Sequence, residues 1–220
     1  LILNNDTIVD PLILSKFRDA AQCYPAAGVF GAKIYYYTEP DKIWFAGGAW
    51  NEQDLDFMHI GQGKPDSERF SKIREIDYAT GCALFFRREV AEKIGLFDSR
   101  FFLTFEETDW CYRARRAGFR CLYVPEAKVW HKVSVSFGGA QSPAYTYFYT
   151  RNFLLWARRN LPVRQRWQVY RDVASGIVSR LSKNEKGPQI RARWFGLRDF
   201  VFCRFGKMPE RVSRALLTRT

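Results

Sequence analysis

No run of apolar residues in this 220-residue chain approaches the ~18 positions that a membrane-spanning helix needs, which excludes a spanning segment. Histidine is scarce, with two in the whole chain. The five cysteines (Cys23, Cys82, Cys111, Cys121, Cys203) are odd in number and scattered, without a CxxC spacing or a Cys/His cluster. Neither a disulfide framework nor a zinc site fits that distribution, so the expectation is reduced, mostly buried thiols in a cytoplasmic protein. There is no internal repeat and no low-complexity tract. A start methionine and a signal-peptide pattern are also missing, and Leu1 stands in a strand-like run. The expectation is an interior and C-terminal part of something longer.

What is present is enough to bury one core, or one core with a helical annex: 47% of residues are hydrophobic and 17% aromatic. The net charge of +12 is unevenly placed. Residues 1–150 hold 18 Lys/Arg against 19 Asp/Glu, whereas residues 151–220 hold 17 against 4, a net of +13. A near-neutral body with a basic tail suggests an anionic partner, acidic lipid headgroups or nucleic acid. The tail mixes aromatic, aliphatic and basic residues at helical spacing, as in Asn152-Phe153-Leu154-Leu155-Trp156-Ala157-Arg158-Arg159. Such a helix fits an interfacial membrane contact better than a groove reader, the other reading being a solvated basic face. No nucleic-acid-binding motif accompanies the charge, so no nucleic-acid partner is expected.

Leu1-Ile2-Leu3 reads as a buried strand ending in the polar turn Asn4-Asn5-Asp6. Asp10-Pro11 supplies an N-cap and a first-turn proline for a helix to about Cys23. Residues 28–37 read as a strand, and residues 39–75 as a long irregular insertion with a short strand at Ile43-Trp44-Phe45. Asp77 to Phe86 reads as turn and strand, Arg88–Ile94 as a helix stopped by Gly95, and Phe105–Ala117 as a helix ended by Gly118. Cys121–Val124 and Val129–His131 read as two strands, and from Ser142-Pro143 the pattern is helical to the end. The order predicts an α/β fold, a mixed sheet flanked by helices, followed by a basic helical annex, with domains at 1–155 and 156–220.

Three clusters can carry chemistry. Asn4-Asn5-Asp6 follows a strand, and the carboxyl edge of an α/β sheet is where ligands bind. Asp6 there could share a divalent cation with substrate phosphates, since Mg²⁺ commonly takes one or two protein carboxylates; turn formation alone is the bland alternative. Glu106-Glu107-Thr108-Asp109 places three carboxylates within four positions behind the aromatic residues Phe101, Phe102 and Phe105. Desolvation there would raise proton affinity, as a general base requires. A capping box from Thr104 to Glu107 and an Asp109–Arg113 pair are the structural alternatives. His131, between Trp130 and Lys132, is either a structural histidine or a further metal ligand.

Taken together, several segments resemble the glycosyltransferase family 2 enzymes of GT-A fold, in particular a rhamnosyltransferase-like branch, over roughly residues 1–155. They are strand–Asn4-Asn5-Asp6, Asp77 to Gly81, Gly95-Leu-Phe-Asp98, Phe101-Phe102-x-x-Phe105-Glu106-Glu107-Thr108-Asp109-Trp110-Cys111-x-Arg113, Gly118-Phe-Arg, Val124-Pro125-x-Ala127-x-Val129-x-His131, Ser136 and Tyr149-x-Arg151-Asn152. The resemblance implies an inverting, metal-dependent transfer of a sugar from a nucleotide-sugar donor to a hydroxyl of a glycan or lipid-linked acceptor. Rhamnosyl transfer in cell-surface polysaccharide synthesis is the implied setting. It implies Asp6 and His131 as ligands of Mg²⁺ or Mn²⁺, and Glu107 as the base in a place where Asp is commoner. Asp109 is implied as its catalytic-segment companion that orients the helix. Asn4, Asn5, Asp77, Gly81, Glu106, Arg151 and Asn152 are implied at the donor and acceptor. The family's N-terminal nucleotide-binding portion has no counterpart here, and weak nucleotide-sugar binding by residues 1–220 alone is expected. Residues 151–220 are expected against an anionic membrane surface, at the inner face of the cell membrane. The alternative is a non-catalytic piece that docks on a membrane or a partner protein.

Overall fold

The computed structural model describes residues 1–132, 142–182 and 187–217; Ser136, part of the resemblance, lies outside them. By packing the chain falls into two units, Leu1–Phe97 with Glu107–Val133, and Asp98–Glu106 with Ser134–Thr220. The second takes in residues 98–106 and 134–155, which the sequence alone assigns to the α/β part.

The first unit is built on a mixed seven-stranded sheet. Its strands are β1 (Ile2–Leu3), β2 (Thr7–Val9), β3 (Ala27–Tyr36), β4 (Ile43–Phe45), β7 (Arg74–Glu75), β8 (Ala83–Phe86) and β9 (Arg120–His131). The main path runs β1-β8-β3-β9-β2, with β4 against β3 and β7 against β9. Among the described residues only β3 and β9 pair in parallel. They form the middle of the sheet, and β3 is buried at every position before Tyr36. A separate hairpin, β5 (Gly48–Asn51) with β6 (Asp56–His59), lies within the insertion. That insertion is thus more ordered than its turn-rich composition suggests. Asp66 ties it to the sheet, accepting from the buried Lys33 Nζ (2.9 Å) and from Tyr35 Oη (2.6 Å).

Helix α1 (Ile13–Cys23) buries Ile13, Phe17, Ala20 and Ala21, the i, i+4, i+7, i+8 stripe of an amphipathic helix. Phe17 stacks on Phe85 of β8 at 5.2 Å. The helix begins later than Asp10-Pro11 suggests, because Asp10 Oδ1 accepts the Leu12 N–H and closes a turn first. Helix α2 (Arg88–Ile94) ends at Gly95, whose φ of +74° suits glycine. Helix α3 (Glu106–Arg116) buries Trp110, Cys111 and Ala114.

Two expectations about strands give way. β1 is half exposed, not buried, because it is an edge strand. Residues 120–131 form one strand, not two: the register against β3 slips between Ala32 and Lys33, so Pro125 sits at a bulge, where a missing N–H costs the ladder nothing.

In the second unit α4 (Pro143–Asn160) starts at Ser142, whose Oγ accepts the Tyr145 N–H. It is followed by α5 (Val163–Ser182), α6 (Pro188–Val201) and α7 (Glu210–Leu217). α4 is buried from Tyr147 to Ala157 apart from Tyr149, as a central helix must be. Gly196 of α6 lets the two backbones meet: a Cβ there would lie 2.8 Å from the Tyr147 carbonyl oxygen. No helix among the described residues is long and apolar enough to cross a membrane.

Candidate active site

The turn at residues 4–6 carries the chain from β1, paired with β8, to β2, paired with β9. The register of β2 sets Thr7 opposite His131. Asp6, one residue earlier, therefore arrives beside the last residue of β9, and its carbonyl accepts the Lys132 N–H at 2.9 Å. Asp6 Oδ1 lies 3.3 Å from His131 Nε2. Two side chains far apart in sequence meet because one strand pairing brings their backbones together.

His131 is buried, and burial lowers its pKa, partly offset by the charge of Asp6. Its imidazole is therefore neutral at pH 7, the form that ligates metal. Asp6 Oδ1 is buried and accepts no hydrogen bond of good geometry among the described residues, although His131 stands beside it. An unspent carboxylate oxygen next to a neutral imidazole suits a divalent cation whose other ligands are diphosphate oxygens and water. Among the described residues no third His, Cys, Asp or Glu joins them. The donor set fits a cation shared with substrate, not an all-protein cage.

The other side of the site follows from β8. Asn4 donates its N–H to the Cys82 carbonyl at 3.1 Å, which fixes the turn beside the start of that strand. Burial pushes the Cys82 thiol up, and the negative charges of Asp6 and Glu107 push it further. Gly81, its neighbour, lies against the stem of Glu107: a Cβ at residue 81 would stand 3.9 Å from Glu107 Cβ and Cγ. Asp6, His131, Gly81 and Glu107 are brought to one end of the sheet, and the side chains of Asn4 and Asn5 are open to solvent there.

The remaining predicted residues are placed elsewhere or otherwise employed. Asp109 is fully buried and pairs with Arg113 Nε at 2.9 Å. Arg113 also donates to the carbonyls of Ile94 (2.5 Å) and Leu96 (2.9 Å), so the pair clamps α3 to the end of α2. This buried pair suits the helix-orienting part expected of Asp109. Asp77 accepts the Trp50 N–H at 2.7 Å and pairs with Arg115 at 2.6 Å, tying β5 to α3. Thr104, the expected cap, has φ +63°, and its Oγ1 is buried without a hydrogen-bond partner among the described residues. Burial raises the proton affinity of Glu106.

Arg151 and Asn152 are both fully buried in the helical unit. The Asn152 amide nitrogen reaches the carbonyls of Phe101 (2.6 Å), Leu103 (2.6 Å) and Thr104 (3.0 Å). Arg151 reaches those of Arg100 and Phe101, both at 3.4 Å. Both side chains, expected at the donor or acceptor, grip the segment of residues 100–104.

Sequence reasoning also misses Trp44. Its ring packs edge-on against His131 (4.6 Å) and His59 (4.9 Å), holding the imidazole of the candidate ligand in place. A tryptophan in a short apolar strand carries no signal that marks this. Cys82 is missed for the same reason.

A family model described as "Glycosyltransferase like family 2" matches residues 1–158. Among curated proteins, the chain is similar to an uncharacterized protein of Sinorhizobium fredii, 28% identical over 151 residues, 64% of this chain and 16% of that protein. It is similar to the N-acetylglucosaminyl-diphospho-decaprenol L-rhamnosyltransferase of Mycobacterium tuberculosis, 27% identical over 150 residues, 63% of this chain and 48% of that enzyme. A dTDP-rhamnosyl transferase of Shigella flexneri is 31% identical over 80 residues, 33% of this chain and 27% of the enzyme. The matched stretch thus spans about half the mycobacterial enzyme and a smaller share of the other two.

Proposed function

The chain belongs to the glycosyltransferase-like family 2, with an α/β fold of GT-A type, and from that membership we propose an inverting sugar transfer from a nucleotide-sugar donor to an acceptor hydroxyl. The likeness to two enzymes named as rhamnosyltransferases favours a rhamnosyl donor, and the name of the mycobacterial one favours a lipid-linked acceptor in cell-surface polysaccharide synthesis. One observation carries the reading: Asp6 Oδ1 and His131 Nε2 lie 3.3 Å apart at the sheet end where the stem of Glu107 lies beside Gly81.

An acceptor hydroxyl is a poor nucleophile, and Glu107 takes its proton as the oxygen attacks the anomeric carbon. Positive charge develops on the sugar ring as the bond to the diphosphate lengthens. Attack from the side opposite the leaving group inverts the anomeric centre. Mg²⁺ or Mn²⁺, when bound, supplies the positive charge that offsets the charge growing on the departing diphosphate. Asp6 and His131 are the residues that would hold it, with Trp44 fixing the imidazole and the exposed Asn4 and Asn5 side chains available to the donor.

Glu107→Gln in the full-length protein tests the proposal. It keeps the side chain's shape and removes the base, so transfer should fall by about 10²–10⁴-fold while donor binding and melting temperature stay unchanged. Transfer by the variant at a rate close to that of the unaltered protein would end the assignment of Glu107 as base.

A further inference from the structure

Helix α5 carries two apolar faces, and only one is covered. Val169 and Ile177 are buried within the helical unit, and Tyr170 packs on Phe200 of α6 at 5.3 Å. The second face is open. Val163, Trp167, Val178 and Leu181 are exposed, Trp167 at 66%. At about 100° per residue, these four and the half-buried Ala174 fall within an arc of roughly 60°. The stripe follows the whole 20-residue helix, about 30 Å long. It is bordered on one side by the exposed Arg164 and Arg171, and Asp172, the helix's sole acid, faces away. The surrounding residues 151–220 carry a net charge of +13.

An apolar stripe edged with arginine, containing a tryptophan, on a helix too polar to span a bilayer, is the pattern of a helix lying in a membrane interface. We propose that this face of α5 docks the chain on an anionic lipid bilayer, with Trp167 and Val178 at the boundary of headgroup and acyl chain and the flanking arginines on lipid phosphates. Charge decides the occupant. A second copy of the stripe would bring its own arginines against these, whereas phosphate headgroups complement them. The inference deepens the proposed transfer to a lipid-linked acceptor, and its bearing on acceptor choice rests on that reading: an enzyme lying on the bilayer meets an acceptor whose tail is already anchored there.

Flotation of the 220-residue chain with phosphatidylglycerol/phosphatidylcholine vesicles, and with phosphatidylcholine vesicles alone, tests the docking without donor or acceptor. The chain should float with the anionic vesicles at low ionic strength and less at high. The double variant Trp167→Glu, Val178→Glu should bind at least about tenfold more weakly. Gln168→Glu with Ser175→Glu adds the same charge to the same helix off the stripe, and should lose much less. Circular dichroism of both variants should match the unaltered chain. No flotation with anionic vesicles, or equal losses in the two variants, would overturn the proposal. So would a dimer in sedimentation that the stripe variant dissolves. Transfer by the full-length protein to a short soluble acceptor should survive the stripe variant, which separates a failed docking face from a failed assignment of the chemistry.

Discussion

Residues 102–105 show how a single side chain holds backbone that its own residues resist. Phe102, Thr104 and Phe105 have φ of +58°, +63° and +70°, a region costing non-glycine residues about 1–2 kcal/mol each. The Asn152 amide, against the carbonyls of Phe101, Leu103 and Thr104, supplies the counterweight. Asn152→Ala strands buried carbonyls and should destabilise by about 2–4 kcal/mol in urea denaturation. Thr104→Gly should act in the opposite direction, raising stability by about 1–2 kcal/mol, because it removes both the strain and a buried hydroxyl without a partner. A loss of stability in Thr104→Gly would show that the segment is held by something other than this amide. The same residues mark what sequence can disclose of the site. The Asn4–Asp6 turn and the acidic trio stand out by composition, but the Asp6–His131 contact is legible only through the family resemblance, since it depends on the register of β2 against β9. Arg151 and Asn152 are legible as a motif, but their hold on the carbonyls of residues 100–104 is not, because a motif records residue types and not the direction in which they point.

At the scale of elements, the crossing of α4 and α6 depends on Gly196. A methyl group there would meet the Tyr147 carbonyl oxygen at 2.8 Å, Thr150 Cβ at 3.0 Å and the Arg151 nitrogen at 3.2 Å. Two of these are backbone atoms that cannot rotate aside, so Gly196→Ala should cost about 1–3 kcal/mol in thermal or urea unfolding despite alanine's better helix propensity. An unchanged or raised midpoint would mean that the helices can slide apart freely. Elements with punctuation were readable in advance: α2 and α3 through Gly95 and Gly118, and α4 through Ser142-Pro143. Elements whose limits are set by partners were not. Pro125 suggests a break that β9 absorbs in a bulge, and the β5–β6 hairpin is hidden in turn-rich sequence because it is held from outside, by the bonds of Gly48 to Tyr78 and of Trp50 to Asp77.

For the whole molecule the same buried groups make stability depend on pH in a definite direction. Burial holds His59 neutral, with a pKa lowered to about 4, among Trp44, Phe45 and Tyr78. Burial lowers that of His131 as well. In the unfolded chain both titrate near about 6.5. The unfolded state therefore binds more protons below that value, and stability falls as the pH drops from about 6.5 toward 4. The contribution of His59 is on the order of 2–3 kcal/mol, fully present above pH ~6.5. Glu106 works the other way: burial raises its pKa, so the folded state holds that proton longer and gains stability as the pH falls through the same acidic range. Urea midpoints measured from pH 7.5 downward should therefore decline for the unaltered chain. They should decline less for His59→Phe, which keeps a ring in the aromatic cage and removes the titration, and more steeply for Glu106→Gln, which removes the opposing group. A His59→Phe chain with the same acid slope as the parent over that range would show that His59 is not its source; the carboxylates of Asp66 and Asp98, held down by their hydrogen bonds, release their stability only at lower pH.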